Sequence, residues 1–255
     1  MRIRILGCSG GIGAGSRTSA MLIDNDVLID AGTGIGDLSL DEMNAIRHVF
    51  LTHAHLDHIA GLPMLADSIF DADFDVPLTV HAREETLRAL QTHIFNNVIW
   101  PDFTRLPSAE RPMLNFRVCS PGDTVTIEHR DFYAVDVMHT VPTLGYTVQN
   151  SGGVFAVSGD TKTNQTLWPV LNACDDLRVL VIEVSFPNEM KQLAADAGHY
   201  CPLTLTEDLE RLHHQPDIWL TGMKPGEEER ILSQVIEAAP NKNIRMLSRG
   251  TILTV

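Results

Sequence analysis

In the stretch Thr52-His53-Ala54-His55-Leu56-Asp57-His58, three imidazoles and one carboxylate fall within six consecutive positions. Neutral imidazole and ionised carboxylate are first-choice ligands for zinc and similar divalent ions. On an extended segment alternate residues share a face, so His53 and His55 can hold one ion together. Asp57 and His58, one step apart where the chain turns, point elsewhere and suit a second ion. The competing reading is a solvated polar turn. With histidine at only 11 of 255 positions, such a cluster seldom arises by chance.

The elements around this stretch explain how it is held. His48 to Leu51 reads as a buried strand and Ile59 to Phe70 as a helix, which puts the ligands on a turn at a strand's carboxyl end. Two further residues stand at strand ends: His139 after the run Asp131 to Met138, and Asp160 after Val154 to Gly159. Both are expected to complete the metal site. Asp30 closes the apolar run Val27-Leu28-Ile29, where burial demands hydrogen-bond partners. Supporting the metal-binding loop from behind would supply them, and capping a turn is the alternative.

The rest of the chain supplies scaffold. Arg2 to Leu6 alternates as a strand before the glycine-rich loop Gly7 to Gly15, which reads as a phosphate cradle or as a simple loop. Strands are expected at Thr18 to Ile23 and Val27 to Ile29, joined by the turn Asp24 to Asp26. After the metal motif come a strand at Pro77 to His81 and a helix at Glu84 to Ile94. Phe95 to Pro107 has no clean period and mixes aromatics with polar groups. It suits a wall over a pocket, with Asn96, Trp100 and Phe103 contacting a flat ligand, or else a subunit interface, as in a homodimer. Strands are expected at Thr124 to Ile127, Phe132 to Val137, Gly145 to Val148 and Val154 to Val157. Helix and strand then alternate through Leu167 to Ala173, Val179 to Val184, Leu203 to His214, Ile218 to Leu220, Glu227 to Ala238 and Ile244 to Val255. With no internal repeat or linker, residues 1–255 read as one α/β domain, with a helical and irregular insertion at about 82–112 near the site.

Composition excludes several classes. Nineteen basic against 33 acidic residues give a net charge of -14, unsuited to a nucleic acid polymer, whose phosphates need Lys and Arg. A small anion remains compatible, because distant charges are screened while a local dication acts at close range. No apolar run reaches the roughly 18 residues of a membrane span. Arg4 interrupts what would be a signal peptide's apolar core, so a cytoplasmic protein is expected. Cys8, Cys119, Cys174 and Cys201 are scattered and read as free thiols.

With His53, His55, Asp57, His58, His139 and Asp160 in this order, the chain resembles the metallo-β-lactamase superfamily. Within it the likeness is to the class II 3′,5′-cyclic nucleotide phosphodiesterases. That likeness is carried by His53 to Gly61, Leu6 to Gly11, His93 to Phe103, and Met223-Lys224-Pro225-Gly226-Glu227. The resemblance implies an αββα sandwich of two mixed β-sheets with helices outside and a dinuclear centre at one edge. It assigns one ion to His53, His55 and His139 and a second to Asp57 and His58, with Asp160 shared. Zinc is the expected metal, with manganese or iron as alternatives, and the implied partner is a small cyclic nucleotide. The implied reaction is phosphodiester hydrolysis to a nucleoside 5′-monophosphate, in which Asp57 and Asp160 act through the ions. His199 is the candidate proton donor, Glu183, ending the run Val179 to Ile182, a candidate support of the metal ligands from behind, and Lys224 a candidate phosphate contact. One departure stands out: Gly222 occupies the position of the family's last histidine ligand. The second ion is therefore expected to be weakly held unless His199, His213 or His214 moves in. The rivals are another hydrolase of the superfamily, acting on RNA 3′ ends, thioesters or lactones, and a metal-binding relative with little or no catalysis.

Overall fold

Alternate side chains of a strand face opposite ways, so a strand covered on both sides reads as an unbroken apolar run. Residues 154–157 behave in this way. Phe155 and Val157 pack into a cluster between two sheets, while Val154 and Ala156 pack into a second cluster beneath helices.

The computed structural model describes residues 1–70 and 76–255. Among them, the first sheet is built from β1 (Arg2–Gly7), β2 (Ala20–Ile23), β3 (Val27–Ile29), β4 (His48–Phe50), β5 (Leu78–Ala82) and β6 (Leu114–Val118). The second contains β7 (Thr124–Ile127), β8 (Arg130–Val137), β9 (Thr143–Asn150), β10 (Gly153–Val157), β11 (Leu177–Glu183), β12 (Asp217–Thr221) and β13 (Ile244–Met246). The last strand, β14 (Ile252–Thr254), returns to the first sheet and pairs antiparallel with β1. Both sheets are mixed. In the first, β1, β2 and β3 are antiparallel and β3 to β6 parallel. In the second, β7 to β10 are antiparallel and β10 to β13 parallel.

Helices α1 (Leu40–Ala45), α2 (Leu56–Ile59), α3 (Leu62–Ser68) and α4 (Glu84–His93) lie on the first sheet's outer side, burying Ile59, Leu62, Leu65, Leu87 and Leu90. Of the helices in the second half, α5 (Leu167–Asn172), α7 (Pro202–Leu209) and α8 (Glu228–Ala238) cover the second sheet through Leu167, Trp168, Leu205, Leu209, Ile231 and Val235. The short α6 (Lys191–Ala197) lies between β11 and α7 in the chain. Two helical layers and two sheets with an apolar layer between them are the αββα sandwich expected from the resemblance. No helix among the described residues is long and apolar enough to cross a membrane.

Two expected elements are divided. The helix expected over Ile59 to Phe70 is two helices, since Pro63 stands in the first turn of α3, where its missing N–H costs nothing. The strand expected over Ile244 to Val255 is β13 and β14, which lie in different sheets. Gly250 at φ 84° makes the turn that carries the chain across.

Inside the sandwich, His48 Nδ1 and His81 Nε2 are 3.1 Å apart and the His81 ring stacks on Phe50. Burial, then His48 and Arg117, push the His81 pKa down to about 4. An unfolded histidine titrates near about 6.5, so this contribution is full above that pH and is lost as pH falls toward the native value. Between pH 7 and pH 4.5, urea unfolding is expected to show a loss of stability that is smaller in His81→Phe by roughly 2–3 kcal/mol, the other histidines with lowered pKa keeping their share. Equal losses in both proteins would contradict this.

Candidate metal centre

The sequence-predicted ligands meet at the carboxyl ends of the strands. His53 and His55 follow β4, His139 follows β8 and Asp160 follows β10, while Asp30, Glu183 and Gly222 end or follow β3, β11 and β12. Such strand ends are where open α/β sheets place ligands.

His53, His55, His139 and Asp160 bring ligand atoms within 4.8 Å of one another. His139 Nε2 lies 3.1 Å from His55 Nδ1, and Asp160 Oδ2 is 3.8 Å from His53 Nε2 and 4.0 Å from His139 Nε2. The same Oδ2 is 3.4 Å from His58 Nε2, which is itself 4.0 Å from Asp57 Oδ2. Asp160 therefore stands between the two donor sets.

The rings are fixed from behind. Thr52 Oγ1 lies 3.0 Å from His53 Nδ1, His58 Nδ1 donates to Asp30 Oδ2 at 2.6 Å, and His139 Nδ1 donates to the Gly198 carbonyl at 2.8 Å. Each contact leaves Nε2 toward the cluster, the arrangement usual for metal-binding histidines. Asp30 adopts a left-handed backbone, φ 57°, and also accepts from Thr52 N, Thr52 Oγ1 and Ser19 Oγ. Gly32 lets the loop after β3 pass beneath the ligands, since a Cβ there would lie 2.2 Å from the Asp57 carbonyl.

The buried Nε2 of His53 has no hydrogen-bond partner. Buried polar atoms rarely go unpaired, so an orphan facing a carboxylate fits a cation between them. The electrostatics agree. Burial holds His53 well below its ordinary pKa, lowers His55 and brings His139 down to about 4, keeping the three rings neutral as ligands must be. Burial opposes ionisation of Asp160, yet His58, His53 and His199 outweigh it and keep the carboxylate charged. At His58 burial is likewise overcome by Asp160 and Asp30, so positive charge is favoured at that position. The residues fit a divalent ion.

Beside the cluster, His199 Nδ1 donates to Glu183 Oε1 at 2.9 Å and lies 4.0 Å from Asp160 Oδ2. Burial raises Glu183, and the adjacent carboxylate raises His199 against its own burial, which favours the imidazolium. Ser185 Oγ, 3.2 Å from His199 Nδ1, also donates to the Gly222 carbonyl at 3.0 Å. Gly198, left-handed at φ 76°, ends α6, so one turn delivers a carbonyl to His139 and the His199 ring to the cleft.

Gly222 lines this cleft with Asp57, His58, Asp160, His199 and Lys224. Of the histidines considered as replacements, His199 is at the cleft. His214 Nε2 instead faces the Asn172 carbonyl, 3.4 Å away, and His213 is exposed. Three imidazoles and a carboxylate make a full tetrahedral set for one ion, whereas the second set has Asp57, His58 and the shared Asp160. After dialysis against metal-free buffer, elemental analysis is expected to find about one equivalent per chain. Two would contradict the assignment.

The remaining sequence-predicted residues divide. Lys224 Nζ donates to the Gly10 carbonyl at 2.9 Å at the cleft. The amides of Cys8 and Ser9 are taken by the Arg17 carbonyl and that of Gly10 by Met223, so these are not free to cradle phosphate. Phe103 corrects the expectation of a ligand-facing wall: it is 2% exposed, within the core and against Phe70. Asn96 is likewise committed, its Oδ1 accepting from Val98 N and Ile99 N and its Nδ2 donating to the Thr92 carbonyl. Trp100, partly buried on the same core, borders an open hollow with Leu56 and Ile99.

A family model for the beta-lactamase superfamily domain matches residues 25–217. A probable 3′,5′-cyclic-nucleotide phosphodiesterase from Yersinia pestis is 27% identical over 251 residues, covering 81% of this chain and 71% of that protein. A 3′,5′-cyclic-nucleotide phosphodiesterase from Aliivibrio fischeri is 26% identical over 250 residues, covering 81% and 74%. The crystal structure of unliganded yeast PDE1 matches with a TM-score of 0.83 at 21% identity, covering 100% of this chain and 99% of that one. The chain belongs to the β-lactamase superfamily and has the metallo-β-lactamase fold.

Proposed function

We propose that this chain is a metal-dependent phosphodiesterase that opens 3′,5′-cyclic nucleotides to nucleoside 5′-monophosphates. The observation that carries the reading is the position of Asp160, whose Oδ2 lies within 4.0 Å of ring nitrogens of His53, His58, His139 and His199. One carboxylate shared by two imidazole sets suits two cations on one phosphate. Divalent ions held there, zinc in the first instance, would supply Lewis acidity toward phosphoryl oxygen and make water nucleophilic near neutral pH.

The chain's own groups do the rest. His53, His55 and His139 hold one side of the site and Asp57 and His58 the other, with Asp160 joining them. His199, kept protonated by Glu183, stands ready to give its proton to the departing 3′-oxygen. Lys224 brings positive charge to the cleft for a phosphate oxygen. The names of the Yersinia and Aliivibrio relatives support the same substrate class. The net charge of -14 weighs against an RNA polymer as substrate.

A substrate panel with zinc or manganese tests the proposal. Cyclic AMP and cyclic GMP are expected to be consumed, and an acyl-homoserine lactone, a glutathione thioester and a precursor tRNA left intact. Lactone or thioester hydrolysis without cyclic nucleotide turnover would overturn it.

A further inference from the structure

The cleft against Asp160 and His58 has room for about one water, at roughly 20 Å³. Asp57, His58, Asp160, His199 and Lys224 line it, so a base does not fit there, whereas a phosphate can reach these groups with a single water-sized oxygen. Beside it lies a larger hollow of about 190 Å³. One wall is Leu56, Ile59, Pro63 and Met64, which share a face at helical spacing along α2 and α3; the other is Ile99 and Trp100. Leu56 sits between the ligands His55 and Asp57, so the hollow begins where the metal site ends. Leu56 is 66% exposed, Met64 52% and Ile99 62%, an open apolar rim.

We infer that this hollow is the nucleobase subsite and that it holds the base by apolar contact, a deepening that rests on the phosphodiesterase reading. Burying the flat faces of a purine between Leu56 and Met64 on one side and Ile99 and Trp100 on the other removes apolar surface from water on both partners. Among the described lining residues the indole of Trp100 carries the one side-chain hydrogen-bonding group, and its buried Nε1 has no partner. A pocket that reads its ligand by shape cannot separate analogues that differ in edge groups, whereas a pocket lined with matched polar groups separates them by 10⁴-fold or so. Adenine and guanine nucleotides are thus bound with similar affinity.

Calorimetry with the zinc-loaded chain tests this without recourse to turnover. Adenosine 5′-monophosphate is expected to bind at least about tenfold tighter than ribose 5-phosphate, and guanosine 5′-monophosphate within about tenfold of the adenine nucleotide. In Ile99→Asn and in Met64→Asn, both at exposed positions where folding is not at stake, the ratio of nucleotide to ribose phosphate affinity is expected to fall about fivefold or more. An unchanged ratio in both variants, or equal affinities in the parent chain, overturns the subsite. An unchanged ratio with a dimer turned to monomer on gel filtration gives the face to a second copy instead. A purine preference beyond about 100-fold overturns apolar readout. Failure of cyclic nucleotide turnover with these affinities intact counts against the phosphodiesterase reading alone.

Discussion

Asp160→Asn is expected to lower kcat/KM for a cyclic nucleotide by about 10³-fold or more and to weaken zinc retention with it. Asp160 is the group that both donor sets have in common, with His58 Nε2 at 3.4 Å and His53 Nε2 at 3.8 Å. The substitution keeps the shape and removes the charge. His58 is then left with Asp30 as its one close carboxylate of the two that favour its positive charge. A factor of 10³ corresponds to about 4 kcal/mol of transition-state stabilisation, the scale expected for charge placed against a phosphoryl group. Zinc content by elemental analysis and steady-state kinetics should fall together. Full activity with normal zinc content in Asp160→Asn would remove the carboxylate from the site.

The second large effect concerns the proton. His199→Ala and Glu183→Gln are each expected to reduce kcat for cyclic AMP by about 10²- to 10³-fold, the range of a positioned acid. Glu183 acts through His199: their 2.9 Å hydrogen bond fixes the ring and favours its charged form. The loss should depend on the leaving group. A diester that expels p-nitrophenolate needs no proton, so its hydrolysis is expected to fall by less than about tenfold in the same variants. Zinc content should be preserved in both. Equal losses on both substrates, or loss of zinc from His199→Ala, would make His199 a ligand rather than an acid.

Local sequence makes much of this molecule legible, because the chemistry is concentrated at strand ends. His53 to His58 declare a metal site by type and spacing, and His139 and Asp160 follow runs that read as strands, the first alternating and the second apolar. The parallel strands β10 and β11 are legible because they are covered on both faces and carry unbroken apolar stretches, Val154 to Val157 and Val179 to Ile182.

What was not legible depends on juxtaposition. Thr52 reads as an ordinary polar neighbour until the fold sets its hydroxyl against Asp30, His53 and His58 at once. The Gly198 carbonyl meets His139 from 59 positions away and sets His199 beside it, and Ser185 links Glu183, His199 and Gly222 across three elements. Phe103 misled for the converse reason, since an aromatic in an aperiodic stretch gives no sign of whether it faces core or cleft. The division of β13 from β14 did leave a signal in Ser248-Arg249-Gly250, a turn composition inside an apolar run.

Gly222 gives the account its most direct test. Its φ of 76° is uncommon for side chains, but a Cβ there would lie 3.5 Å from Glu183 Cβ and 3.7 Å from Ser185 Oγ, with no clash. Gly222→His therefore meets no clash at its Cβ, at a backbone cost of about 1–2 kcal/mol. The decisive measurement is cyclic AMP turnover by the parent chain and by Gly222→His with excess zinc or manganese, followed by phosphorus NMR. Conversion to the 5′-monophosphate is expected, abolished by chelation, with the variant requiring less added metal than the parent. Persistence of the cyclic diester with both proteins would contradict it.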